Sequence, residues 1–191
     1  MEKFNNKYRI SSIRAPFWDY GWNAAYFITI CTKNRQCWFG DVVDGKMDLS
    51  AMGHIANSCW NEIPHHFPFV ELGVHVIMPN HVHGILIINK PKDVHREVET
   101  QNFASPPSQP PKMGKPKNQF APQSQNLASI IRGFKIGVTK NARQIHPTFA
   151  WQSRFHDHII RDDASYQRIT EYIKNNPARW ALPSSSSSSS R

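Results

Sequence analysis

His81-Val82-His83 sets two imidazoles one residue apart, directly after Pro79-Asn80. Side chains alternate between the faces of a strand, so both rings should leave on one face, with Cα atoms roughly 6.5 to 7 Å apart, and could share one metal ion. A bare His-x-His is a weak signal, because histidines alternating with apolar residues also suit a half-wet strand face. A second group of interest is Tyr172-Ile-Lys-Asn-Asn176. Positions four apart are neighbours on one helical face, so the Tyr172 phenol and the Asn176 amide should point at the same place. Tyr166 is the rival nucleophile. At about 100° per residue, Ile169 and Ile173 centre the apolar stripe, Tyr166 falls near its middle and Tyr172 toward its edge, where a hydroxyl is better placed to react.

These parts suit one reaction. A metal held by two imidazoles and a neutral oxygen donor can polarise a phosphodiester, and a positioned tyrosine hydroxyl can attack phosphorus in line and expel a 3′ hydroxyl. The phosphotyrosine would conserve the energy of the broken bond for resealing. A phenol with a reference pKa near 10 is a poor nucleophile, so the cation must help generate or stabilise the phenolate. His156-Asp157-His158 is another His-x-His, but no tyrosine or amide accompanies it in a matching pattern. The adjacent His65 and His66 diverge in direction and do not suit a shared metal.

The elements that must position these groups are legible in the periodicity. Tyr26 to Thr32 is rich in aromatic and β-branched residues and reads as a first strand. A Gly-containing turn or short hairpin follows around Asp44-Gly45. Leu49, Met52, Ile55, Ala56, Cys59, Trp60 and Ile63 then recur at helical spacing, with Pro64 expected to end the helix. Val70 to Met78 and His81 to Ile88 read as an antiparallel hairpin turned by Pro79-Asn80. Leu127, Ile130, Ile131, Phe134 and Val138 mark a basic helix, Trp151 to Arg161 a fourth strand, and Asp162-Asp163 opens a last helix that should run to about Asn176 before Pro177 stops it. The order strand, helix, strand hairpin, helix, strand, helix predicts an α+β fold, with a ferredoxin-like antiparallel sheet and helices packed on it.

Around that core, residues 1–20 read as an N-terminal extension and 21–182 as one domain. Seven of the 14 prolines fall in 90–125, among Gln, Ser, Asn and Lys, which predicts a flexible insertion, and the serine-rich 183–191 a disordered tail. The chain has 191 residues and carries 23 Lys and Arg against 14 Asp and Glu, a formal charge of +9, as expected for a phosphate-rich partner. The apolar runs are too short for a spanning helix, and no apolar leader opens the chain, so a cytoplasmic protein without a membrane partner is expected. Cys31, Cys37 and Cys59 lack the pairing of a disulfide framework or zinc knuckle.

Leu72-Gly-Val-His-Val-Ile-Met-Pro-Asn-His-Val-His-Gly-Ile85, Ile131-Arg-Gly-Phe-Lys135, Trp151-Gln152, Phe155-His-Asp-His-Ile-Ile-Arg161 and Glu171-Tyr-Ile-Lys-Asn-Asn-Pro177 occur in this order. Together they resemble the REP-associated tyrosine transposases of the single-tyrosine, His-hydrophobic-His superfamily, over about residues 20–182. The resemblance implies His81 and His83 as metal ligands, Asn176 as the third, Tyr172 as the nucleophile, Mg²⁺ or Mn²⁺ as cofactor, and hairpin-bearing single-stranded DNA as substrate of a 5′-phosphotyrosine reaction. It makes His156 and His158 structural or DNA-proximal. Arg132, Lys135, Lys140, Arg143 and Arg161 are the expected DNA contacts, with Lys112, Lys115 and Lys117 of the insertion as further basic candidates. The sequence leaves open a monomer or a homodimer.

Three alternatives stand beside this reading. One is a non-catalytic DNA-binding protein on the same fold, and another a replication or conjugation nickase, which the compact length disfavours. The last is an RNA-binding protein that stacks bases on Tyr26 and Phe27.

Overall fold

The computed structural model describes residues 3–4, 7–8, 18–91 and 125–180. Most of the N-terminal extension, residues 92–124 of the proline-rich segment with Lys112, Lys115 and Lys117, and the serine-rich tail lie outside them. A two-residue ladder joins β1 (Lys3–Phe4) to β2 (Lys7–Tyr8). Next come β3 (Ala24–Cys31), the hairpin β4 (Gly40–Val43) and β5 (Lys46–Leu49), then α1 (Ala51–Asn61) and the one-turn α2 (Ile63–His66). The chain continues through β6 (Val70–Met78), β7 (His81–Ile88), α3 (Leu127–Ile145), β8 (His156–Ile160), α4 (Asp163–Lys174) and α5 (Asn176–Trp180).

β6, β7, β3 and β8 form one antiparallel sheet in that order. β7 lies between β6 and β3, so β3-α1-β6 is a split βαβ unit, and the expected ferredoxin-like α+β architecture is what the chain adopts. The three long helices each start where a side chain satisfies free N–H groups. Ser50 Oγ accepts from Gly53 N at the head of α1, Asn126 and Ser129 form a reciprocal capping box on α3, and Asp162 Oδ1 accepts from Ser165 N on α4.

Strand alternation gives the sheet two apolar faces. On one, Tyr26, Ile28, Ile30, Val82 and Leu86 meet Trp60 of α1 and Ile130, Phe134 and Val138 of α3. Gly84 is required here, because a Cβ at this position would lie 2.2 Å from Trp60 Cζ2. On the other face Ile85 and Ile160 meet Ile173 of α4, with Phe27, Val74, Val76, Ile87, Tyr166 and Ile169 around them. Ile173 is fully buried, which contributes roughly 1.5 to 3 kcal/mol to docking α4.

The first strand begins two residues earlier and ends one earlier than expected, at Ala24–Cys31, and three other expected boundaries move further. Pro64 does not end an element: it sits in the first turn of α2, where a missing N–H costs nothing. The fourth strand is only His156–Ile160. Trp151 makes an isolated bridge to Thr32, and Arg154 takes a left-handed backbone (φ 66) that bends the chain before the ladder begins. The last helix breaks at Asn175, so Tyr172 and Asn176 do not share one continuous helical face. Asn176 opens α5, whose first turn accommodates Pro177. The stacking platform imagined for Tyr26 and Phe27 is absent: Tyr26 is fully buried on the α3 side, and Phe27 points to the opposite face under Tyr172.

Candidate active site

His81 and His83 open β7, an inner strand, and oppose Cys31 and Thr29 on β3 and Met78 and Val76 on β6. Both are buried, at 6% exposure each, and their ring centroids are 4.4 Å apart. The turn before them orients the first ring. Asn80 Nδ2 donates to the carbonyl of Arg35 (3.1 Å), which directs Oδ1 toward His81 Nδ1 at 2.8 Å. An amide oxygen only accepts, so His81 carries its proton on Nδ1 and leaves the Nε2 lone pair free. His83 Nδ1 meets Thr29 Oγ1 at 2.9 Å, which likewise leaves Nε2 as the outward nitrogen. Burial favours the neutral rings: it pushes His83 down to about 4 and, with the charges of His83 and Arg35, His81 down to about 3.

Tyr172 comes to this pair from α4. Its hydroxyl lies 3.5 Å from His83 Nε2, a contact at the long limit of hydrogen bonding. Phe27 wedges beneath, stacked on His83 at 5.3 Å and edge-on to Tyr172 at 6.0 Å. Tyr172 is 39% exposed, whereas Tyr166 is half-buried in the apolar cluster beneath α4. Asn176, itself buried, lines the same cleft of about 400 Å³ as His81, His83 and Tyr172. The four sequence-predicted groups therefore converge despite the break in the helix. Among the described residues no three His, Cys, Asp or Glu side chains are grouped to hold a metal ion. Two imidazoles with outward Nε2 atoms, in a cleft that Asn176 also lines, are nonetheless donor types that suit one divalent cation.

The basic set lies elsewhere. Arg132, Lys135, Lys140 and Arg143 line a groove of about 620 Å³ along α3, on the opposite side of the sheet from α4. Lys135 is already engaged: its ammonium donates to the carbonyls of Gln152 and Arg154 and sits over Trp151. Arg143 Nε donates to the Phe149 carbonyl. Arg161 is exposed just beyond β8. His156 opposes Thr29 and His158 opposes Phe27, so the second His-x-His shares the sheet face of the first but is exposed. His65 and His66 lie in α2, outside the cleft.

Sequence reasoning missed Thr29, Asn80, Arg35, Arg179 and Trp180. Asn80 stands directly before His81, where Pro79-Asn80 signals only a turn. The others are separated from the histidines in sequence and reach the cleft through strand register or through the loop and helix that close it.

No protein-family model matches the chain. It is 41% identical over 170 residues to an uncharacterized protein of Haemophilus influenzae, covering 88% of each chain. It is 26% identical over 161 residues to a second Haemophilus influenzae protein, described as a putative REP-associated tyrosine transposase, covering 84% of this chain and 74% of that one. Among solved structures it superposes on a REP-associated tyrosine transposase bound to a REP hairpin with a TM-score of 0.57 and 17% identity, over 90% of this chain and 75% of that one. The sheet order and helix placement are thus those of the REP-associated tyrosine transposase fold, as the sequence blocks implied. The chain belongs to one family with the 41% identical Haemophilus influenzae protein.

Proposed function

We propose that this protein is a transposase that binds hairpin-bearing single-stranded DNA and cuts and rejoins one strand through a 5′-phosphotyrosine on Tyr172. The observation that carries the reading is the approach of the Tyr172 hydroxyl to His83 Nε2, beside His81 and Asn176 in one cleft. In the cleavage step the phenol gives up its proton and its oxygen bonds to phosphorus. The P–O3′ bond breaks, and the 3′ oxygen leaves as a hydroxyl after taking a proton. Attack by a 3′ hydroxyl on the phosphotyrosine reverses the exchange and frees the phenol, so one bond is traded for another throughout.

His81 and His83 would hold Mg²⁺ or Mn²⁺ through Nε2, with Asn176 as the neutral third donor; when bound, the ion supplies positive charge that favours the phenolate and polarises the phosphodiester. The chain's own contribution is orientation. Asn80 and Thr29 fix the imidazoles, and Phe27 and the docking of α4 through Ile173 aim Tyr172. The formal charge of +9 and the exposed Arg132, Lys140, Arg143 and Arg161 favour phosphate contacts away from the cleft.

The test is to incubate the protein with Mn²⁺ and labelled hairpin oligonucleotides taken from the flanks of its own gene. A denaturant-resistant protein–DNA adduct that disappears with Tyr172→Phe and with EDTA supports the reading. Tight binding without adduct on any flank sequence supports instead a DNA-binding protein that keeps the fold without the chemistry.

A further inference from the structure

Besides Cys31 of β3, three side chains on the cleft wall have no part in the chemistry above: Arg35 from the loop after β3, and Arg179 and Trp180 from α5. Trp180 leans on His81, with ring centroids 5.7 Å apart and planes at 41°, yet remains 39% exposed. A large apolar ring left in water beside a buried imidazole offers a face that a planar partner could cover. Among the described residues neither guanidinium forms an ion pair with a carboxylate. Arg35 is also held in an uncommon backbone. It and Asn34 both adopt left-handed conformations (φ 55 and 54), and the loop is pinned by Asn80 Nδ2 on the Arg35 carbonyl and by Thr32 Oγ1 on the Gln36 carbonyl. Non-glycine residues persist there only when their surroundings fix them. The hydrogen bonds that orient His81 therefore also place Arg35.

We infer that Trp180, Arg35 and Arg179 form a nucleotide subsite on the wall of the cleft, which takes one unpaired nucleotide next to the cleaved phosphate. The indole stacks its base and the two guanidiniums hold its flanking phosphates. Stacking accepts any base with an aromatic face, and guanidinium pairs phosphate oxygens through two N–H groups, so the subsite recognises an unpaired strand rather than a particular letter. The inference rests on the proposed DNA reaction for its location, but it concerns binding.

It is tested by equilibrium binding of a fluorescent hairpin oligonucleotide with single-stranded flanks, in EDTA so that no strand is cut, with the intact protein and Trp180→Ala, Trp180→Phe, Arg35→Ala and Arg179→Ala. Each nucleotide of the flanks is replaced in turn by an abasic residue. With the intact protein one abasic position should weaken binding by roughly 5- to 150-fold, the range for loss of one stacked base. Trp180→Ala should weaken the unmodified DNA by a similar factor and abolish the penalty at that position alone, and Trp180→Phe should restore most of both. Each arginine variant should lower the slope of log affinity against log salt by about 0.7, the share of one single-strand phosphate. Abasic penalties that persist unchanged in Trp180→Ala, or arginine variants with the full salt slope, would overturn the subsite. Adduct formation with Mn²⁺ is scored separately. An adduct without the binding pattern rejects the subsite and keeps the chemistry; the binding pattern without an adduct does the reverse.

Discussion

Asn80 Oδ1 lies 2.8 Å from the Nδ1 of its neighbour His81, while the other end of the same amide holds the carbonyl of Arg35. One side chain thus sets the tautomer of a candidate metal ligand and anchors the loop that faces it. Asn80→Ala removes both bonds and leaves the buried His81 Nδ1 unpaired. Groups of this kind typically change metal affinity 10- to 100-fold. The Mn²⁺ concentration for half-maximal adduct formation should rise by about that factor, with a loss of about 1 to 3 kcal/mol in stability. Titration of adduct rate against Mn²⁺ and thermal unfolding of the same variant check the two effects.

Thr29→Val tests the second imidazole. It keeps the shape of the side chain and removes the hydroxyl that meets His83 Nδ1 at 2.9 Å. Adduct formation should slow by roughly 10-fold or more, in line with the loss of an orienting hydrogen bond on a ligand, while tight hairpin binding in EDTA is retained. An unchanged rate would show that the ring is held by packing against Phe27 alone.

Gly84→Ala acts on the opposite side of the sheet from the chemistry. The new methyl would occupy space now filled by the Trp60 ring. Overpacking of this kind costs about 1 to 3 kcal/mol or more. The melting temperature should fall clearly, and the folded fraction should still form adduct. Loss of adduct at temperatures where the variant remains folded would mean that the two faces are less independent than their separate clusters imply.

Acid should unfold the metal-free protein early. Burial holds His83 down near 4 and His81 near 3, and it lowers His75 as well. Between about pH 6.5 and 4 the unfolded chain takes up protons on these residues that the folded chain refuses, so stability must fall as pH drops through that window. Denaturant midpoints measured in EDTA from pH 7.5 to 4 should decline. The His81→Gln, His83→Gln double variant should show a shallower decline; an equally steep one would locate the sensitivity elsewhere.

Much of this was legible in the sequence because the signals were local. β6 and β7 run over Val70–Met78 and His81–Ile88 as the alternation and the Pro79-Asn80 turn required, and the helical phase anticipates that Tyr166 packs in the apolar cluster while Tyr172 is more exposed. What escaped depended on partners distant in the chain. The register that sets Thr29 against His83 is fixed by β3 and β7 pairing across 54 positions. The break at Asn175 reflects how Pro177 can begin a helix as readily as end one, so the amide reaches the cleft by a different route from the one its spacing suggested. Arg35 and Trp180 carry no motif at all, and only the folded chain brings them to His81.

Tyr172 and Tyr166 are separated by Arg168, so trypsin places them on different peptides, Ile169–Lys174 and Asp162–Arg168. Digestion of a Mn²⁺-dependent adduct, nuclease trimming of its DNA and mass spectrometry of the peptides would locate the covalent link directly. The expected result is a nucleotide phosphate on Ile169–Lys174, absent when EDTA is present. A nucleotide on Asp162–Arg168 would move the nucleophile to Tyr166, and unmodified peptides from a protein that binds the same DNA tightly would remove the covalent step altogether.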